Sequence, residues 1–124
     1  TTVASAIRIG NPASWDRALV ARDESGGIIA TVTDDEILEA YRLLSTREGI
    51  FCEPASAASV AGVISRTRQG LDLSDSRVVC VITGTGLKDS EVALSYVHED
   101  LVEVPAELGA IEKALMTYTT NMRG

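Results

Sequence analysis

Residues 78–89 read VVCVITGTGLKD, and this stretch decides the fold. Val78, Val79, Cys80, Val81 and Ile82 are apolar without a break, with a polar loop before them and a glycine-rich turn after them. A half-exposed strand alternates apolar and polar side chains. A continuous run therefore predicts a strand covered on both faces, as in parallel sheets. Outward from it, short strand-like runs at 28–32 and 50–52 alternate with longer helical patterns. Asn11 and Pro12 read as N-cap and first residue of one helix. Thr33 and Glu36 form a capping box for a second helix over 34–48, with Ile37, Leu38, Tyr41 and Leu44 on its apolar face and Gly49 as its stop. Glu53-Pro54 precedes a third helix over 55–68, where Ala57, Ala58, Ala61 and Gly62 offer a flat packing face. A short helix at 92–97, a strand at 101–104 and a last helix over 106–120 complete the expected order. This alternation predicts an α/β fold with an open, mainly parallel sheet flanked by helices, and no internal domain boundary within residues 1–124.

The chain has 124 residues, enough for one small domain, and a formal net charge of −7. Eleven Lys and Arg against 18 Asp and Glu argue against a nucleic-acid partner, because neutralising phosphates needs clustered cations. No apolar run approaches the roughly 20 residues of a membrane span, and no basic segment followed by an apolar one marks a secretory signal. Cys52 and Cys80 cannot staple a chain of this size, so the expectation is two reduced thiols in a cytoplasmic protein. The chain opens at Thr1 without Met and runs at once into TTVASAIRIG, which suggests a segment whose natural beginning lies upstream.

Open α/β sheets bind ligands beyond the carboxyl ends of their strands. That rule singles out Glu53-Pro54 and the turn Thr83-Gly84-Thr85-Gly86. The two glycines allow a tight turn and close backbone approach to a ligand, although such turns also exist only to reverse the chain. The turn lacks the GKS/T ending of a phosphate loop and the acidic partner of a dinucleotide fingerprint. Glu53 is explained either by the favourable field of a helix N-terminus or by ligand contact. Lys88 has the chemistry of a nucleophile, but its polar neighbours Asp89 and Glu91 point to solvated surface charge. His98 is the sole histidine and lies beside Glu99 and Asp100, so no metal site is expected. Arg8, the one charge in residues 3–9, either crosses an interface or extends its head into solvent.

Three stretches in order, SAIRIGNPASW at 5–15, EGIFCEPASAASVAG at 48–62 and VITGTGLKD at 81–89, resemble the threonine synthases. These are pyridoxal-phosphate enzymes of the tryptophan-synthase-like fold, fold type II. The resemblance covers residues 1 to about 93 and implies that this chain is the carboxyl-terminal portion of a longer catalytic unit. It implies that Thr83 directs its hydroxyl to the pyridine nitrogen of the cofactor and that Gly84 and Gly86 shape the loop around the ring. Ala6 and Ile7 would lie along the face of the cofactor with its substrate, and Glu53 near the ring edge. The family reaction converts O-phospho-L-homoserine and water to L-threonine and phosphate, and a homodimer is expected. Two family features have no counterpart here, the Schiff-base lysine and the phosphate-binding loop. The chain alone is therefore expected to be inactive, its missing amino-terminal part supplying both. A threonine or serine dehydratase, which shares a Glu-Pro motif before a small-residue helix, is the alternative within the class. A non-catalytic binding module of the same fold is the alternative outside it.

Overall fold

The structure, a computed structural model, describes residues 1–97 and 103–121. The chain divides into two compact units, Thr1–Ala93 and Leu94–Gly124. The helices in chain order are α1 (Trp15–Ser25), α2 (Asp34–Glu48), α3 (Pro54–Arg68), α4 (Ser90–Val97) and α5 (Leu108–Asn121). Short 3-10 turns occupy Ser5–Ile7 and Gly86–Asp89.

The core of the first unit is the packed pair α2 and α3. Thr33 caps α2 from both sides: its hydroxyl accepts the Glu36 amide, and the Glu36 carboxylate accepts the Thr33 amide at 2.7 Å. Ser/Thr caps of this kind stabilise a helix by about 1 kcal/mol. Gly49 ends α2 in the left-handed region at φ +66°, where a Cβ would be strained. Ile37, Ala40, Tyr41 and Leu44 of α2 are buried together with Ala57 and Ala61 of α3, Cys52 and Ala4. Complete burial of a side chain such as Ile37 stabilises by roughly 1.5–3 kcal/mol, while the small residues of α3 let the helix backbones approach. The expected apolar face holds except that Ala40 takes the buried place and Leu38 is half-buried. Polar contacts close the rim of the pair, with the Ser65 hydroxyl donating to Glu36 at 2.7 Å and the Arg68 guanidinium gripping both oxygens of Glu39.

The structure differs from the expectations at three points. No strand forms among the described residues, and the single bridge joins Cys52 and Thr85 in antiparallel sense. The runs at 28–32 and 78–82 are present as non-helical segments without a ladder; Val32 and Ile82 pack against the core, while the other apolar side chains are largely open to solvent, Val79 at 81% and Val81 at 67%. The physical reason is that a sheet strand needs a neighbour on its hydrogen-bonding edge, and these described segments offer one another none. The first helix begins at Trp15 with Ser14 as N-cap, and not at Asn11-Pro12, because the Pro12 carbonyl is used in a tight turn, accepting the Trp15 amide at 3.3 Å. The expected strand at 101–104 falls partly outside the described residues, and Glu103 and Val104 belong to no element. His98 also lies outside them.

In the second unit α5 follows Pro105, with the Ala110 and Ile111 amides both donating to the Glu107 carbonyl at 3.1 Å. Leu108 and Met116 of this helix are exposed. No described helix is long and apolar enough to cross a membrane.

Candidate functional site

Two turns that are distant in sequence are clamped together at the start of α3. The Glu53 amide donates to the Gly84 carbonyl at 3.0 Å, and the Gly86 amide donates to the Phe51 carbonyl at 3.1 Å. These bonds flank the Cys52–Thr85 bridge and hold the Glu-Pro turn against the glycine turn. Proline at the first position of α3 needs no amide partner and arrives with a helical φ, so Glu53 becomes the N-cap with extended backbone (φ −76°, ψ 156°). Its carboxylate makes no capping bond. Instead it turns toward position 84, filling the space that a Cβ there would need. Glu53 is only 5% exposed.

Ser56, one turn into α3, stands at the centre of the polar contacts. Its Oγ accepts the Gly84 amide at 2.8 Å and lies 2.9 Å from the Thr83 Oγ1. Glu53 Oε1 is at 3.5 Å and the Gly84 carbonyl at 3.4 Å, the outer limit of a hydrogen bond. Ser56 is buried and Thr83 is exposed, so the threonine hydroxyl is the edge of this network that meets solvent. Gly86, also buried, sits where a Cβ would run into the Phe51 ring.

The structure thus brings together Thr83, Gly84 and Glu53. Ala6 and Ile7 belong to the Ser5–Ile7 turn, which rests against α3, and both are exposed. The Ser5 hydroxyl donates to Asp89 at 2.6 Å, joining this turn to the one at Gly86–Asp89. Ile7 also borders an open groove of about 680 Å³ whose walls include Ile29, Val32, Ala58 and Arg66. Arg8 donates its Nε to the Thr2 carbonyl at 2.6 Å, a local bond that accounts for its place in the apolar stretch. Lys88 is exposed on the glycine turn, with its amide donating to the Thr85 carbonyl. Cys52 and Cys80 are free thiols, and burial pushes the Cys52 thiol above its ordinary pKa. The metal-ligand types form no cluster among the described residues.

Two residues of this arrangement were not legible as functional from the sequence. Ser56 reads as one of several small residues on a packing helix, and Ser5 as part of a chain opening. The signal that could have found Ser56 is its spacing of three from Glu53 across a proline-started turn, which puts both on the first turn of the helix.

The chain matches the family described as pyridoxal-phosphate dependent enzymes over residues 1–84, a span that contains every residue of the clamp except Thr85 and Gly86. It belongs to that family. The family has fold type II, and it is pyridoxal-phosphate dependent. A threonine synthase of Halalkalibacterium halodurans is 50% identical over 117 residues, which cover 94% of this chain and 32% of the relative. One from Synechocystis is 58% identical over 93 residues, 75% of this chain and 24% of the relative. A third, from Methanocaldococcus jannaschii, is 44% identical over 114 residues, 92% of this chain and 28% of the relative. The family member described here therefore spans between a quarter and a third of the length of these relatives.

The residues present suit this cofactor in one respect that the geometry makes concrete. A hydroxyl at a solvent-facing edge, backed by a buried hydroxyl and a main-chain amide, is a neutral partner for a heteroaromatic nitrogen. The sequence contains two lysines, Lys88 and Lys113, both exposed in this structure.

Proposed function

We propose that this chain is the carboxyl-terminal portion, residues 1–124, of a cytoplasmic threonine synthase that converts O-phospho-L-homoserine and water to L-threonine and phosphate. The observation that carries the reading is the Thr83 hydroxyl, presented at the clamp between the Glu-Pro and glycine turns. Threonine synthase relatives at 44–58% identity support it over the dehydratase alternative. The exposed apolar runs at 28–32 and 78–82 support the incompleteness of the portion, since unpaired strand-like segments fit a mainly parallel sheet finished by the remainder of the enzyme. The cofactor lysine and the phosphate-binding loop belong to that remainder, so the isolated chain is inactive. The assembled enzyme is a homodimer.

When bound, pyridoxal phosphate supplies an electron sink for negative charge developing on the substrate carbon skeleton. Thr83 would hold the ring nitrogen through a hydrogen bond from its hydroxyl. A hydroxyl is far too weak an acid to transfer its proton there, so the ring stays a moderated sink. Gly84 and Gly86 would shape the loop around the ring by leaving the space that Glu53 and Phe51 fill. Glu53 would hold its carboxylate near the ring edge, and Ala6 and Ile7 would present small and apolar surface along the ring face.

The test is made on the full-length enzyme. Supplied with O-phospho-L-homoserine, it releases phosphate and L-threonine in equal amounts. Release of ammonia and a 2-oxo acid from serine or threonine as the main activity would establish the dehydratase reading instead. Thr83→Ala still takes up the cofactor, though less tightly, and lowers kcat, and unchanged kinetics would remove Thr83 from the site.

A further inference from the structure

The Ser56 hydroxyl is buried, yet the contacts given to it are unequal in a way that fixes its proton. Its oxygen already accepts the Gly84 amide at 2.8 Å, which leaves its own O–H to be placed. Three oxygens are within reach: Thr83 Oγ1 at 2.9 Å, the Gly84 carbonyl at 3.4 Å and Glu53 Oε1 at 3.5 Å. Only the first is at ordinary hydrogen-bond length for two hydroxyls. A buried hydroxyl proton left on the longer contacts would be poorly satisfied, whereas the exposed Thr83 can turn its own proton outward at no such cost.

We propose that Ser56 is a positioning residue that makes Thr83 a one-way donor toward the ring nitrogen of the cofactor. The chain of bonds runs from the Gly84 amide to Ser56 Oγ, from the Ser56 O–H to Thr83 Oγ1, and from the Thr83 O–H outward. Each bond polarises the next, so the outer hydroxyl is a better donor than an isolated threonine. The opposite direction would present Thr83 lone pairs to an unprotonated nitrogen, which repels them. The relay therefore selects a neutral acceptor nitrogen and disfavours a protonated one. Ser56 would act through Thr83, whose hydroxyl it meets at 2.9 Å. The proposal rests on the reading of Thr83 given above.

The experiment is a double-mutant cycle in the full-length holoenzyme, read as the dissociation constant of pyridoxal phosphate and the fluorescence of the bound cofactor. Ser56→Ala weakens the cofactor roughly three- to tenfold, the weight of one hydrogen bond, and shifts its emission. In a Thr83→Ala background the same change has no further effect on either readout, because the relay has already lost its outer member. Equal effects of Ser56→Ala in both backgrounds would show a purely structural role and overturn the proposal. Ser56→Cys keeps the side-chain shape with a weak donor and acceptor, and serves the same cycle if the alanine variant does not fold. Thr83→Ala alone with unaltered affinity and emission would overturn the Thr83 reading, and the relay with it.

Discussion

The carboxylate of Glu53 occupies the volume that any side chain at position 84 would require. A Cβ built on Gly84 overlaps Oε1 and the carboxyl carbon of Glu53, and the two residues are already joined by the amide-to-carbonyl bond at 3.0 Å. Gly84 is therefore glycine because a neighbour fills its side, and not because of its backbone angles: positive φ is confined to Gly26, Gly49 and Gly70 among the described glycines.

Gly84→Ala is thus expected to force Glu53 out of its buried position or open the clamp. Overpacking of this kind costs about 1–3 kcal/mol. Chemical denaturation of the full-length enzyme should show the loss. Glu53→Ala in the same protein should recover part of it by clearing the space, and a neutral Gly84→Ala would mean that the carboxylate moves freely.

The Glu36 carboxylate gives the α2–α3 pair a pH dependence of known sign. Its pKa is held below 4.5, first by the Thr33 amide, then by the Ser65 hydroxyl. Glu39 is likewise lowered, chiefly by Arg68. A carboxylate whose folded pKa is depressed contributes stability that is complete above the unfolded value and lost as pH falls through the folded one. Stability should be flat from neutrality to about pH 5 and decline below pH 4.5. Glu36→Gln should flatten part of that decline in thermal melts at stepped pH.

Thr33→Ala removes the hydroxyl that accepts the Glu36 amide and should destabilise by about 1 kcal/mol. Arg68→Ala removes an ion pair whose partners are both well exposed, Arg68 at 58% and Glu39 at 42%. It should cost less, at most about 1 kcal/mol. Urea midpoints of the two variants compared with the parent would rank them, and a larger effect for Arg68→Ala would contradict this account.

The two thiols should react at different rates. Cys52 is 1% exposed, and burial raises its pKa, which depletes the reactive thiolate. Cys80 is half-buried in the 78–82 run. A thiol-specific reagent should modify Cys80 first in native protein and both equally after denaturation. Within the full-length enzyme, protection of Cys80 would mark the covering of that run.

Helices were legible in this sequence where local chemistry fixes them. The Thr33–Glu36 box, the Gly49 stop and the proline start of α3 each act within a few residues, and each lies where the pattern indicated. The run at 78–82 was read correctly as apolar throughout, but its pairing depends on a neighbour that local pattern does not specify. The antiparallel bridge at Cys52 and Thr85 was hidden for the same reason. At the site, Thr83, Gly84 and Glu53 were visible through turn chemistry and resemblance. Ser56 was invisible because a serine inside a run of alanines carries no signature of the threonine hydroxyl it meets 27 residues away.

The clamp between the two turns also has a dynamic meaning. Its main-chain bonds run in both directions across Cys52 and Thr85, from Glu53 to Gly84 and from Gly86 to Phe51. Neither turn can open while the other stays shut, so they fluctuate as one cooperative unit. The amides of Glu53, Gly84 and Gly86 should then share a single opening free energy in hydrogen exchange, and loosening at either turn would slacken the grip on whatever lies against Thr83.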